Sequence, residues 1–322
     1  MAKAVFTLRS GVKVGRAALG AHGDVPGSVR QQAHDGDTVS VDPDGNLGLR
    51  FLGVDAPEVS FTLPGSDAFV SIANERWTEF LANPFAPEYG PFDPPIEDEL
   101  ANHILVGIGP ETAPNHGRLA KEAERALEGL LTADIEALGQ TPETFRLFCS
   151  FATEVMDGYG RLLCYLNRDQ PDAEHPEPRP KSYNERLLAL GLVTPYFIWP
   201  NLDPYKRQER LVDAVPAPGS LAPEGVDAAE RESFDEARQS VKDARAAERG
   251  VFSRDDPLLV YPFELRFLSR RKPPDRWVID LSAGDDRLRP PQTYHEILHA
   301  EDRLFVAEEY VPLFVAKGWR AV

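Results

Sequence analysis

Two short acidic runs and two separated arginines are the residues of this chain whose types and spacing could do chemistry. His34-Asp35-Gly36-Asp37-Thr38 lies between two strand-like runs, and Arg50 with Val54-Asp55-Ala56-Pro57-Glu58 lies along and just beyond the next. Carboxylates gathered in one place repel one another unless a cation joins them, and a hard, oxygen-seeking ion such as Ca²⁺ turns that repulsion into binding. Asp37, Asp55 and Glu58 are the three that this spacing can gather. Arg50 and, much later, Arg161 add guanidinium groups, whose fork of donors matches a phosphoryl group and stays charged at any working pH. Carboxylates, a cation and two arginines suit phosphoryl transfer better than acyl transfer. Each run alone has a plainer reading: Asp-Gly-Asp-Thr is a common turn, and a proline after a strand simply stops it.

The elements that must hold these groups are short strands. From Ser28 to Asp55 the chain alternates in the runs SVRQQAH, TVSV and LGLRFLGV. The last two are joined by Asp42-Pro43-Asp44-Gly45-Asn46, which predicts a hairpin. Period-two spacing then puts Arg50 on the third strand, Asp55 and Glu58 at its exit, and Asp37 at the start of its hairpin partner, so that all converge on one barrel edge. Residues 60–115, rich in Pro, Gly and acids, break the rhythm and read as an insertion. Helical spacing of Leu119, Ala123, Ala126, Leu127, Leu130 and Leu131 predicts an amphipathic helix over 118–131. Strands follow at 145–152 and 159–166, then a loop at 168–181. Ser182 caps a short helix, YNERLLAL, that Gly191 ends, and a charged helix over about 228–249 closes at Gly250. In the tail, FELRFL and RWVIDL read as strands and 293–299 as a helix, forming a small separate module.

Taken together and in order, these blocks resemble the staphylococcal nuclease (thermonuclease) family. The resemblance rests on Asp35-Gly36-Asp37-Thr38-Val39, on Arg50-Phe51-Leu52-Gly53-Val54-Asp55-Ala56-Pro57-Glu58 and on Tyr159-Gly160-Arg161-Leu162-Leu163-Cys164-Tyr165. Asn184-Glu185-Arg186-Leu187-Leu188 through Gly191-Leu192 is similar to the family's second helix, and the charged helix ending near Phe252-Ser253 to its last; the likeness covers about 28–58, 116–167 and 182–253. It implies a five-stranded OB-type barrel with three helices over 26–253, interrupted by insertions at about 60–115, 168–181 and 200–226, preceded by an extension over 1–25 and followed by a small α+β module over 254–322.

Residue by residue, the resemblance implies that Asp37 and Asp55 bind one Ca²⁺ through carboxylates and Ala56 through its backbone carbonyl, with Asp35 behind them. Glu58 matches the carboxylate that activates or positions the attacking water, and Arg50 and Arg161 match the pair that grips the phosphate. In the family, water attacks phosphorus in line and the 5′ oxygen leaves, giving 3′-phosphate ends on DNA or RNA. Tyr159 matches a contact to the terminal phosphate. Phe197 and Trp199 fall where tyrosines lie against the base, so stacking is expected without their hydroxyls. Ala56 stands where the family has threonine, a change without effect on a carbonyl ligand.

Other motifs compete. His295-Glu296-Ile297-Leu298-His299 matches H-E-x-x-H, in which two histidines one helical turn apart bind Zn²⁺ and the glutamate activates water. Glu308 and Glu309 are the candidate third ligands, close in sequence, and the protease continuation is absent. Arg266, Arg270, Arg271, Lys272 and Arg276, with Phe267 and Trp277, form a concentrated basic and aromatic patch; it reads either as a nucleic-acid surface or as a charged hairpin packed on the acidic insertion. The acidic stretch 85–100 is then a candidate lid that repels long duplexes.

Composition sets the outer limits. The chain has 322 residues, 42% of them hydrophobic and 27% charged, enough for a full core. A formal charge of −17 excludes holding nucleic acid by overall field, so any such substrate must be met by local arginines and a cation. No run approaches the roughly 18 apolar residues of a membrane span, and the start lacks the apolar middle of a secretion signal. A cytoplasmic protein, monomeric by default and without a membrane partner, is the expectation. Cys149 and Cys164 are expected as free thiols. A barrel that binds nucleic acid or protein without cleavage is the rival reading.

Overall fold

The computed structural model describes residues 3–8, 10, 13–22, 25–26, 33–34, 38–39, 41–203, 208–220 and 233–322. Asp35 and Asp37 lie outside the described residues. The class is mixed α+β, with several small sheets and helices between them, and no closed barrel is found among the described residues. The chain divides into two compact units, one of Met1–Phe51 and Ser150–Tyr165, the other of Leu52–Cys149 and Leu166–Val322.

The first unit is built of short strands. Val5–Thr7 pairs with Lys13–Gly15 and Ala17–Leu19 with Val41–Pro43, both antiparallel, while Leu49–Phe51 runs parallel to Leu162–Cys164. Two expectations change here. Residues 1–25 are no mere extension, since they supply strands to this unit. The run after Asp44 does not fold back on Val41–Pro43, whose partner is Ala17–Leu19. Alternation identifies residues able to form a strand; which strand they pair with is a matter of long-range contacts.

The second unit centres on a four-stranded sheet in the order Gly53–Asp55, Thr194–Trp199, Arg303–Val306, Trp277–Asp280. Asp55 is thereby set opposite Thr194 in an antiparallel pair. Beside the sheet lies a core that joins the stretch expected as an insertion to the tail expected as a separate module. Phe61, Ile72, Trp77, Phe80, Leu81, Leu100 and Ile104 pack with Val260, Leu265, Leu268, Tyr294 and Phe305. Burying each such side chain contributes roughly 1.5–3 kcal/mol, so neither half would keep its apolar face dry alone. Residues 254–322 accordingly share one sheet and one core with the rest of this unit.

Local signals explain the helices. Thr112–Ala137 extends the predicted 118–131 and buries Leu119, Ala120 and Ala123. Tyr183–Ala189 starts at Ser182, the cap that the sequence predicts, and the structure completes it as a capping box with Glu185. The charged helix is observed over Ser233–Ala246. FELRFL, expected as a strand, lies within the helix Pro262–Arg270. Its alternating Phe and Leu mislead, because Pro262 fits a first helical turn, Glu264 accepts from the Tyr261 amide at 2.7 Å, and Leu265 and Leu268 share one buried face. RWVIDL is a strand at Trp277–Asp280. Residues 293–299 form no α-helix; Pro291–Glu296 is a 3₁₀ turn, and Ile297 is extended.

Candidate functional site

Asp55 and Glu58 sit where the Gly53–Asp55 strand leaves its sheet, and five contacts fix the turn between them. The Thr194 hydroxyl donates to the Asp55 carbonyl at 2.9 Å. The Glu58 amide donates to His116 Nε2 at 2.7 Å, near the start of the Thr112–Ala137 helix. Arg266, delivered by the helix Pro262–Arg270, closes the other side: Nη1 donates to Asp55 Oδ1 at 2.9 Å and to Glu58 Oε1 at 2.8 Å, and Nη2 to Asp55 Oδ2 at 2.7 Å. Asp55 is buried, at 1% exposure, and Glu58 is half-buried.

The electrostatics follow from burial. Desolvation works against the charge on Arg266, and the carboxylates of Asp55 and Glu58 overcome it, holding the guanidinium's pKa above its ordinary range. His116 is fully buried, and that burial pushes its pKa down to about 4 against smaller opposing pulls from the Val260 carbonyl and Asp55. It is therefore neutral, with Nε2 accepting and the proton on Nδ1. A neutral acceptor at that point fixes the Glu58 backbone without adding charge to the cluster.

Arg50, Tyr159 and Arg161 belong to the first unit. Arg50 lies on the Leu49–Phe51 strand opposite Leu163. Arg161 is set by a turn whose centre is Asp157: Asp157 Oδ1 accepts from the amides of Tyr159 and Arg161 at 2.9 Å, and Oδ2 from Arg161 Nε at 2.8 Å. Burial alone would raise the Asp157 pKa; the amide and guanidinium of Arg161 outweigh it and hold the carboxylate below its ordinary range. Gly160, at φ 83°, takes a conformation that side chains resist, and Gly48 leaves room for Arg161, whose Cγ would lie 3.1 Å from a Cβ there. Tyr159 is exposed, with Arg161 Cζ 5.3 Å from its ring centroid.

Phe197 and Trp199 are corrected from base-stacking residues to core. Phe197 packs edge-on against Phe234, and Trp199 against Tyr310 and Phe314 while its Nε1 donates to the Ala214 carbonyl at 3.1 Å. Both faces of this central strand are covered, leaving no ring for a base. Of the basic patch, Arg266 and Arg271 are turned inward, while Arg270 and Lys272 stay exposed. Arg271 donates to the carbonyls of Pro84 and Gly90 and lies 3.8 Å from the Phe92 ring centroid, and Arg270 lies over Phe61, so this segment packs on residues 60–115, which it holds in place. Within 85–100, the stretch read as a lid, Phe92 is buried beneath Arg271, while Glu88, Asp93, Glu97, Asp98 and Glu99 are exposed. The helical spacing behind the zinc reading is not realised, since His295 and His299 flank an extended residue, and His295 instead stacks near His103 with centroids 5.0 Å apart.

The donor set fits a hard cation in kind: carboxylate oxygens of Asp55 and Glu58 converge on a single positively charged nitrogen, Arg266 Nη1. Ala56 is exposed beside them. Arg266 and His116 were not legible as site residues. The first stood in the sequence as one member of a basic patch, 211 residues from Asp55, and the second carried no motif. Among the described residues no cluster of three or more His, Cys, Asp or Glu side chains is placed to hold a metal. Family models, curated proteins and solved structures give no match to this chain.

Proposed function

We propose that the chain is a Ca²⁺-dependent nuclease of the staphylococcal nuclease type, an OB-barrel enzyme of the cytoplasm that hydrolyses phosphodiester bonds of DNA or RNA to 3′-phosphate ends. The observation that carries this reading is the convergence of Asp55 and Glu58, three residues apart, on one cationic point. Carboxylates focused on one positive charge are also the donor type that a hard cation takes. The ordered sequence blocks and the Asp157-held Arg161 support it further. No helix among the described residues is long and apolar enough to cross a membrane.

In this mechanism Asp37, Asp55 and the Ala56 carbonyl would hold the cation, with Asp35 behind them, and the ion would offer positive charge to the phosphoryl oxygens. Glu58 positions water for in-line attack, its backbone fixed by His116. Arg50 and Arg161 grip the phosphate and stabilise the charge that grows on it, and Asp157 preorganises Arg161 for that task. Tyr159 contacts a terminal phosphate.

One observation favours a second reading, a barrel that binds nucleic acid without cutting it: Arg266 occupies both Asp55 oxygens and one oxygen of Glu58. Cleavage of a labelled single-stranded oligonucleotide separates the two. Ca²⁺-dependent cleavage that yields 3′-phosphate ends and is lost with chelator and in Glu58→Ala is the expected result. A wild-type protein that cuts neither DNA nor RNA with any divalent metal leaves the binding module in its place.

A further inference from the structure

The Arg266 contact is more than a passing neutralisation. Both oxygens of Asp55 are engaged, Glu58 is drawn in through the same nitrogen, and the donor comes from a helix that cannot easily swing away. Leu265, Phe267 and Leu268 on either side of Arg266 are buried, Ser269 Oγ donates to the Thr62 carbonyl, and Arg271 ends the helix while bonded to Pro84 and Gly90. Arg266 is thus seated by the core, and the guanidinium is a fixed feature of the site.

We propose that Arg266 is an internal counter-cation that competes with a hard divalent cation for Asp55 and Glu58 and so lowers the affinity of the carboxylate pair for that ion. The proposal rests on the nuclease reading of the same residues and adds a device that governs access to them. A guanidinium that already engages both Asp55 oxygens leaves fewer lone pairs for a divalent ion, and the two like charges repel at contact distance. The cluster as it stands, two carboxylates and one guanidinium, retains one net negative charge, which still draws a cation towards it.

Calorimetric titration of the full chain with CaCl₂ at fixed ionic strength tests this. Arg266→Gln should bind Ca²⁺ about tenfold or more tightly than wild type, because it removes a positive charge at contact distance from both carboxylates. Arg266→Gln with Asp55→Asn should lose that gain. An Arg266→Gln affinity equal to or below wild type overturns the proposal. Arg266→Lys, which keeps the charge but gives up the fork, is the second variant and covers a glutamine variant that fails to fold; it should fall above wild type, and equality with wild type overturns the proposal equally. Cleavage assays on the same proteins separate this from the nuclease reading. A gain in affinity with no cleavage by any of them keeps the counter-cation and removes the nuclease. Ca²⁺-dependent cleavage by wild type with no gain in Arg266→Gln does the reverse.

Discussion

Two arginine–carboxylate pairs hold the candidate chemistry, and they are built in opposite ways. Arg161 meets Asp157 four residues away on one turn, with 38% of the arginine side chain exposed. Arg266 meets Asp55 across 211 residues of chain, with the two side chains 12% and 1% exposed. Water screens the first pair, so it orients a side chain at little cost and leaves it able to turn to a ligand. The second pair is desolvated, and each partner is costly to leave alone. One arginine is aimed by its contact; the other is committed by it.

Perturbing each pair sharpens that contrast. Asp55→Ala or Arg266→Ala should cost about 3–5 kcal/mol in urea denaturation, because each strands a buried charge. The double variant should cost clearly less than the sum, and additivity would break the comparison. Ca²⁺ should restore part of the loss in Arg266→Ala, by mass action on the folded state alone.

His116 gives the next largest effect. Its folded pKa of about 4 lies below its ordinary 6.5, so the unfolded chain takes up the proton first. The stability is therefore complete above the ordinary value and lost as pH falls from there towards 4, by about 3 kcal/mol if the full shift is realised. Melts of wild type and His116→Gln across that window measure it, and parallel pH curves would remove His116 as the cause.

In the other pair, Arg161→Ala should lower turnover on the order of 10²-fold while leaving the circular dichroism melt nearly unchanged. Smallest of all, Asp157→Asn should cost less than about 1 kcal/mol, with a loss that shrinks as salt is added. A loss as large as that of Asp55→Ala would show the two pairs to be alike after all.

The sequence carried some elements plainly and hid others for a physical reason. The Ser182 cap, the helix around Leu119 and the strand at Trp277–Asp280 were legible because their signals lie within a few residues. The Pro262–Arg270 helix was not, since the alternation of Phe263, Leu265 and Phe267 serves a strand equally well until the core takes up Leu265 and Leu268 together. Phe197 and Trp199 kept their aromatic type yet lost their expected role, because the tail strand Arg303–Val306 pairs with theirs and its neighbours cover both faces.

The sequence by itself pointed to groups that could do chemistry, Asp55 and Glu58 at a strand's exit and Arg50 on a strand, while Arg161, expected within a strand over 159–166, is instead set by the turn around Asp157. Spacing along the chain is enough for contacts made within a turn. Only the tertiary structure decided that residues 60–115 and the tail form one core, and that Arg266 rather than a metal ligand meets Asp55. Those choices rest on burial and charge pairing between segments far apart in the chain, and each segment's own pattern is compatible with many partners.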